Sequence, residues 1–253
     1  EQMLYAACFR VMAEISKQLG KDGNVYRQEY EKLTAAIEKF FWDEEKGAYI
    51  DSFTSGKRNV TRHANIFAIL FDIADKQKQE KILTNVLEND EIPAITTPYF
   101  NFFELDVLCQ MGKLTEVLDK IRSYWGGMLD LGAVTFWEEY DPSVPKEEQY
   151  DMYGDHFGKS LCHAWAASPI YFLAKYFAGL DLVNKDGVTY VLKPQMQYFT
   201  DLDCTLPVGS DGTVRLAWDG ECLEVTADAE GGVLELGEEK ISLVRGETRR
   251  VKI

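Results

Sequence analysis

The sequence predicts a mainly α chain with a β module behind it: a partial helical toroid of about seven helices, then a small antiparallel β-sandwich. Three observations predict it. Apolar residues recur at helical spacing in blocks through residues 1–183. Short breaks marked by Gly or Pro separate those blocks, as antiparallel helix pairs require. From about residue 184 the period becomes two. The change of period divides the 253 residues into two domains, 1–183 and 184–253, a large and a small unit. No fixed-period motif repeats, which weighs against an α-solenoid. A toroid of six helix pairs would need roughly five more helices, expected upstream of residue 1.

Leu4, Cys8, Val11, Met12, Ile15 and Leu19 mark one face of a first helix almost from residue 1, so this residue reads as lying inside a longer chain. Gly20 to Gly23 breaks the pattern, and Val25, Tyr26, Tyr30, Leu33, Ile37, Phe40 and Phe41 lay out a second stripe. Asp43 to Asp51 is polar, and its Ala-Tyr-Ile predicts a short extended excursion. Further apolar blocks lie near 62–74, 77–88 and 98–111, the last opening with Pro98 in a first helical turn. Leu114, Val117, Leu118, Ile121 and Tyr124 predict a sixth helix over about 113–125. Between 126 and 158, seven Gly and Pro residues exclude a continuous helix, and long ordered loops are often functional. A seventh helix follows, with Ser168 as N-cap, Pro169 at N1 and Gly179 at C′. Beyond it, alternating segments at 213–218, 222–226, 233–236 and 248–253, separated by Asp219-Gly220 and Gly231-Gly232, read as hairpins.

Composition narrows the function. Hydrophobic residues at 46% can bury a core, which excludes a disordered chain. Forty-two acids against 27 bases leave a formal charge of −15, with no Lys/Arg cluster to track phosphates; nucleic acid is not an expected partner. No apolar run is long enough to predict a membrane span. Five scattered cysteines without C-x-x-C spacing signal neither a disulfide framework nor a zinc site, and no cofactor or metal is expected. Acid-rich and aromatic-rich composition suits sugars, whose C–H faces stack on rings while carboxylates take the hydroxyls.

Three segments concentrate polar and aromatic chemistry. In Gly132-Ala-Val-Thr-Phe-Trp-Glu-Glu-Tyr-Asp141, Trp137 stands beside Glu138, and an indole next to a carboxylate can desolvate it toward general acid or base duty. A loop-anchoring Glu138 or Glu139 with Trp137 in the core is the alternative on the residues alone. Asp151 to Trp165 carries His156 and His163 at a spacing that matches no metal pattern and offers no triad. His163 reads either as a satisfied structural imidazole or as a donor to a sugar hydroxyl. Arg62-His-Ala-Asn and Thr97-Pro-Tyr-Phe-Asn-Phe-Phe-Glu place His63, Asn65, Tyr99 and Glu104 near helix starts, where a toroid faces its central pocket; capping and packing explain them about as well.

Together these segments resemble the bacterial α-L-rhamnosidases, inverting glycoside hydrolases built on an (α/α)6 barrel with a β-sandwich behind it. Thr97-Pro-Tyr-Phe leads a helix ending near Gly112, and Tyr124-Trp-Gly-Gly-Met-Leu precedes Gly132-Ala-Val-Thr-Phe-Trp-Glu. That piece is similar to the family's Gly-Ala-Thr-Thr-x-Trp-Glu, and Ser160-Leu-Cys-His163 to its Ser-Leu-Asn-His. The resemblance implies that Glu138 is the general base, Trp137 a pocket wall and His163 a sugar contact, with a rhamnose-containing glycan or glycoside as partner. Val134 and Cys162 depart from the family's Thr and Asn, and the loop over 141–159 is longer than a minimal one. The family's acidic segment with its general acid has no counterpart here, so an upstream part of the same polypeptide is expected to complete the barrel, and the 253-residue chain alone is expected to be inactive. Other readings are another (α/α)-barrel glycosidase, a non-catalytic carbohydrate-binding relative, or a helical scaffold.

Overall fold

The structure, a computed structural model, describes every residue except Asp186 and Asp211, and omits the side chains of Asn184 and Lys185. It divides into two compact units, one of residues 1–112 with 138–160, the other of 113–137 with 161–253.

The first unit opens with α1 (Gln2–Gln18) and α2 (Asn24–Phe41). Gly20, at φ +65°, ends the first helix, and Gly23 lets the chain return closely: a Cβ there would lie 2.9 Å from the Ala13 carbonyl oxygen. The pair packs through small residues. Met3, Ala6, Ala7, Ala13 and Ser16 are the buried positions of α1, while Leu4, Val11, Met12, Ile15 and Leu19 are 39–64% exposed. The apolar stripe that announces this helix is therefore its outer face. The extended excursion is a two-stranded ribbon, β1 (Trp42–Asp43) with β2 (Ala48–Tyr49). Then come α3 (Arg62–Leu70), α4 (Lys76–Ile82) and α5 (Pro98–Gln110). Asp75 caps α4 by accepting the Lys78 N–H at 3.0 Å, and a π-helical turn over Leu83–Leu87 extends that helix.

In the second unit, α6 (Leu114–Lys120) runs through a π-helical turn (Ile121–Trp125) into α7 (Gly126–Asp130). Gly126 and Gly127, read as the end of a helix, lie within one; the break comes at Gly132, at φ +93°. α8 (Ser168–Phe172) continues as a π turn over Leu173–Phe177. Its N-cap is Ala167 rather than Ser168, which is the first helical residue. Counting each extended helix once, the described residues hold seven helical rods.

The β region comprises two four-stranded sheets. One has the order β10 (Thr248–Lys252), β7 (Cys222–Ala227), β6 (Gly212–Trp218), β5 (Leu202–Val208), all antiparallel. The other runs β3 (Leu180–Lys185), β4 (Val188–Leu192), β8 (Gly232–Leu236), β9 (Glu239–Leu243), with β4 and β8 parallel. Alternation supplies the core: Tyr190 and Leu192 from β4, Val214 and Leu216 from β6, Leu223 and Val225 from β7, and Leu234 from β8 are fully buried. Gly231-Gly232 does not turn a hairpin, because β7 and β8 lie in different sheets. A Cβ on Gly232 would sit 2.3 Å from the Tyr190 ring, so the glycine gives the ring its place.

Candidate active site around Glu138

The boundary between the two units falls at the peptide joining Trp137 and Glu138, and again between Ser160 and Leu161. In the first unit, Glu138 and Ser160 are joined by two bonds: the Glu138 N–H donates to the Ser160 carbonyl at 2.9 Å. The Ser160 N–H returns a bond of 3.0 Å to Glu138 Oε2. The Tyr153 hydroxyl donates to Oε1 at 2.9 Å. The carboxylate belongs to a residue only 6% exposed, held from both oxygens. Bonds to both oxygens fix the orientation of the group in a partly dehydrated place.

The neighbours fix the segment. The Tyr140 N–H donates to the Thr96 carbonyl at 3.3 Å, and Thr96 Oγ1 donates to Glu139 at 3.0 Å, tying residues 139–140 to the approach of α5. Lys159 is buried with its ammonium 3.9 Å from Glu139, and burial pushes its pKa below the ordinary lysine value despite the acids around it. Glu139 is thus the anchoring acid, and Glu138 the oriented one.

The other predicted residues of this unit divide sharply. His63 is exposed to solvent on one side and packed on the other, its ring centre 4.2 Å from that of Phe100; partial desolvation by this packing lowers its pKa, against the opposing charges of Asp51 and Glu104. Tyr99, 48% exposed, meets Phe100 and Phe103 edge-on, so the first turns of α3 and α5 share one aromatic cluster. Asn65 has a different setting. It is fully buried, its Oδ1 accepting the Tyr49 N–H at 2.8 Å and its Nδ2 donating to the Tyr49 and Thr61 carbonyls, so it fastens β2 to α3. Glu104 likewise forms a buried ion pair with Arg62 at 3.1 Å. A 450 Å³ cavity in this unit, lined by Met3, Ile37, Phe41, Ile50, Phe53 and Phe67 among others, includes none of the predicted residues.

In the second unit Trp137 is 3% exposed and His163 half-buried. The His163 N–H donates to the Phe136 carbonyl at 2.8 Å, and Thr135 Oγ1 donates to the Leu161 carbonyl. The imidazole lies over Trp165 at 4.2 Å between ring centres. His156, in the first unit, pairs with Asp151 at 2.6 Å in an exposed position. Among the described residues no group of three or more His, Cys, Asp or Glu side chains could hold a metal ion, and no helix is long and apolar enough to cross a membrane.

Sequence reasoning missed Tyr153. It lies within the segment read for its histidines, and the signal was the Tyr-Gly pair at 153–154, a turn that can carry a side chain back toward Glu138.

Similarity to known proteins bears on the whole arrangement. The rhamnosidase from Klebsiella oxytoca solved with rhamnose bound is 29% identical, with a TM-score of 0.60 over 69% of this chain and 33% of its own. The α-L-rhamnosidase of Dictyoglumus thermophilum shares the fold at 18% identity and TM-score 0.68, covering 99% of this chain and 30% of that one. The Streptomyces avermitilis α-L-rhamnosidase complexed with L-rhamnose does so at 16% and 0.66, over 92% and 22%. The chain therefore spans a third or less of the length of these relatives. No curated protein matches it. The profile of the bacterial α-L-rhamnosidase six-hairpin glycosidase domain matches residues 1–177, and the chain belongs to that family of glycoside hydrolases.

Proposed function

We propose that this chain supplies the general-base half of an inverting glycosidase that cleaves α-L-rhamnosidic bonds in glycosides or polysaccharides. Glu138 would deprotonate the water that attacks the anomeric carbon, while an acid carried elsewhere in the polypeptide protonates the departing oxygen. Inversion needs about 6.5–9.5 Å between the two carboxyl groups to admit that water. The observation that carries the reading is the Glu138 carboxylate, 6% exposed and oriented by Ser160 and Tyr153 at the end of a Gly-Ala-Val-Thr-Phe-Trp-Glu segment. Trp137 and His163 are assigned to the sugar pocket on the same resemblance, with His63 and Tyr99 as further wall residues.

The upstream part of the same polypeptide is proposed to complete the barrel, with residues 1–183 as its C-terminal portion and 184–253 as the sandwich behind it. Two facts support this: the chain covers 33% of the rhamnose-bound relative, and α1 presents an apolar face to water. In the full-length protein, Glu138→Gln is expected to lower kcat on an aryl rhamnoside by several orders of magnitude, with the unfolding midpoint retained. Near-normal turnover by that variant would sink the assignment.

A further inference from the structure

Resting on the reading of Glu138 as the base, we infer that Tyr153 is its positioning residue, aimed at the carboxylate by a strained two-residue turn in the loop over 141–159. Met152 and Asp155 exchange both backbone hydrogen bonds, at 3.0 and 2.9 Å, and so close a tight hairpin around Tyr153 and Gly154. Both central residues have positive φ, +55° and +84°, the signature of a type I′ turn. Glycine takes that conformation freely and Asn or Asp tolerates it; an aromatic side chain does not favour it.

Packing does not explain why Tyr153 is there. The residue is 80% exposed, so its ring contributes nothing to a core. Its hydroxyl, however, donates to Glu138 Oε1 at 2.9 Å, and that bond together with the Glu138 charge raises the phenol's pKa above the ordinary tyrosine value. A non-glycine residue kept in a disfavoured backbone region, with its one polar side-chain atom on a buried carboxylate, is the pattern in which strain serves a site. Gly158 holds the turn against the rest of the loop: a Cβ there would lie 2.2 Å from the Met152 carbonyl oxygen. The sequence between 152 and 158 is therefore a small mount, with Tyr153 at its tip.

Each donor engages a different oxygen of the carboxylate. Ser160 N–H bonds Oε2 and Tyr153 O–H bonds Oε1, which constrains the rotation of the group about its own axis. The charged groups around this pair are Glu139 and Lys159, with Asp141 and Asp151 further along the same loop.

The test compares full-length Tyr153→Phe, Tyr153→Asn and Glu138→Gln on an aryl rhamnoside across pH. Both Tyr153 variants are expected to lower kcat, by up to about 100-fold, the loss that a displacement of about 1 Å produces, while KM stays within about twofold. Removing a donor from an ionised carboxylate disfavours its charged form, so the acid limb of kcat/KM is expected to move to higher pH. Asn suits the turn better than Tyr, so Tyr153→Asn should lose activity with an equal or higher unfolding midpoint, which a merely structural tyrosine would not do. Gly158→Ala, which retains the tyrosine hydroxyl but displaces the turn that aims it, should lower kcat in the same direction. An unchanged kcat and acid limb in Tyr153→Phe, with Glu138→Gln inactive, would overturn the inference alone. Activity retained by Glu138→Gln would overturn the base assignment and this inference with it.

Discussion

Asn65 and Glu138 are both buried polar residues that the sequence marks only by type, and their partners separate them. Each of Asn65's side-chain groups meets a main-chain group of Tyr49 or Thr61, so it acts as a substitute for the backbone pairing that β2 lacks on that side. Glu138 instead meets a main-chain N–H and a phenol, and its segment ends at a unit boundary. A residue type near a helix start was legible in the sequence; which atoms it would face was not, because Tyr49 lies 16 positions before Asn65 and Tyr153 lies 15 after Glu138. Asn65→Ala should therefore act on stability. It strands the Tyr49 N–H and carbonyl in a dry place, at roughly 1–3 kcal/mol for each unmade bond. Urea unfolding is expected to show a loss of about 3 kcal/mol. A change under about 0.5 kcal/mol, the range of ordinary surface substitutions, would mean that water reaches Tyr49.

At the scale of elements, periodicity carried most of the information. Helical spacing located every rod, and alternation located β6, β7, β8 and β10. It failed where a second force overrides period. The wide turn at Ile121–Trp125 carries the helix on through Gly126-Gly127, where propensity alone predicts a stop. The parallel pairing of β4 with β8 joins strands far apart in sequence, and no local turn encodes it. Gly179 is the opposite case, a residue whose role was readable: at φ +75° it ends the last helix, as a C′ glycine does. The structure adds that a Cβ there would lie 2.2 Å from the Lys193 carbonyl oxygen, while Lys193 N–H donates to the Gly179 carbonyl at 2.9 Å. Gly179→Ala thus combines an unfavourable φ with a backbone clash at the passage from α8 to β3. A loss of about 3 kcal/mol or more is expected in thermal unfolding, because strain at a special φ alone costs about 1–3 kcal/mol. A variant as stable as the parent would show that the junction yields freely.

The whole molecule is legible through a contradiction between pattern and burial. Leu4, Val11, Met12, Ile15 and Leu19 have the spacing of a core-facing stripe and yet are 39–64% exposed, while the small face of α1 packs. In α2, Val25 and Phe40 are 59% and 44% exposed. A two-sided helix, small residues inward and large apolar residues outward, is what a barrel helix with neighbours on two sides requires. Large apolar side chains contribute about 1.5–3 kcal/mol each when fully buried, and the exposed half of that contribution is recoverable only if another surface covers it. Upstream helices of the same polypeptide are the proposed cover. Val11→Asp with Ile15→Asp separates the outcomes: in the full-length protein the pair is expected to lower the unfolding midpoint by several degrees or more, since charges would enter a closed interface. In the isolated 253-residue chain the same substitutions are expected to leave the midpoint unchanged and to reduce self-association, because there they only replace apolar surface with charge. A full-length double variant with its parent's midpoint would mean that this face stays in water in the whole protein, and that the barrel closes, if it closes, along some other helix.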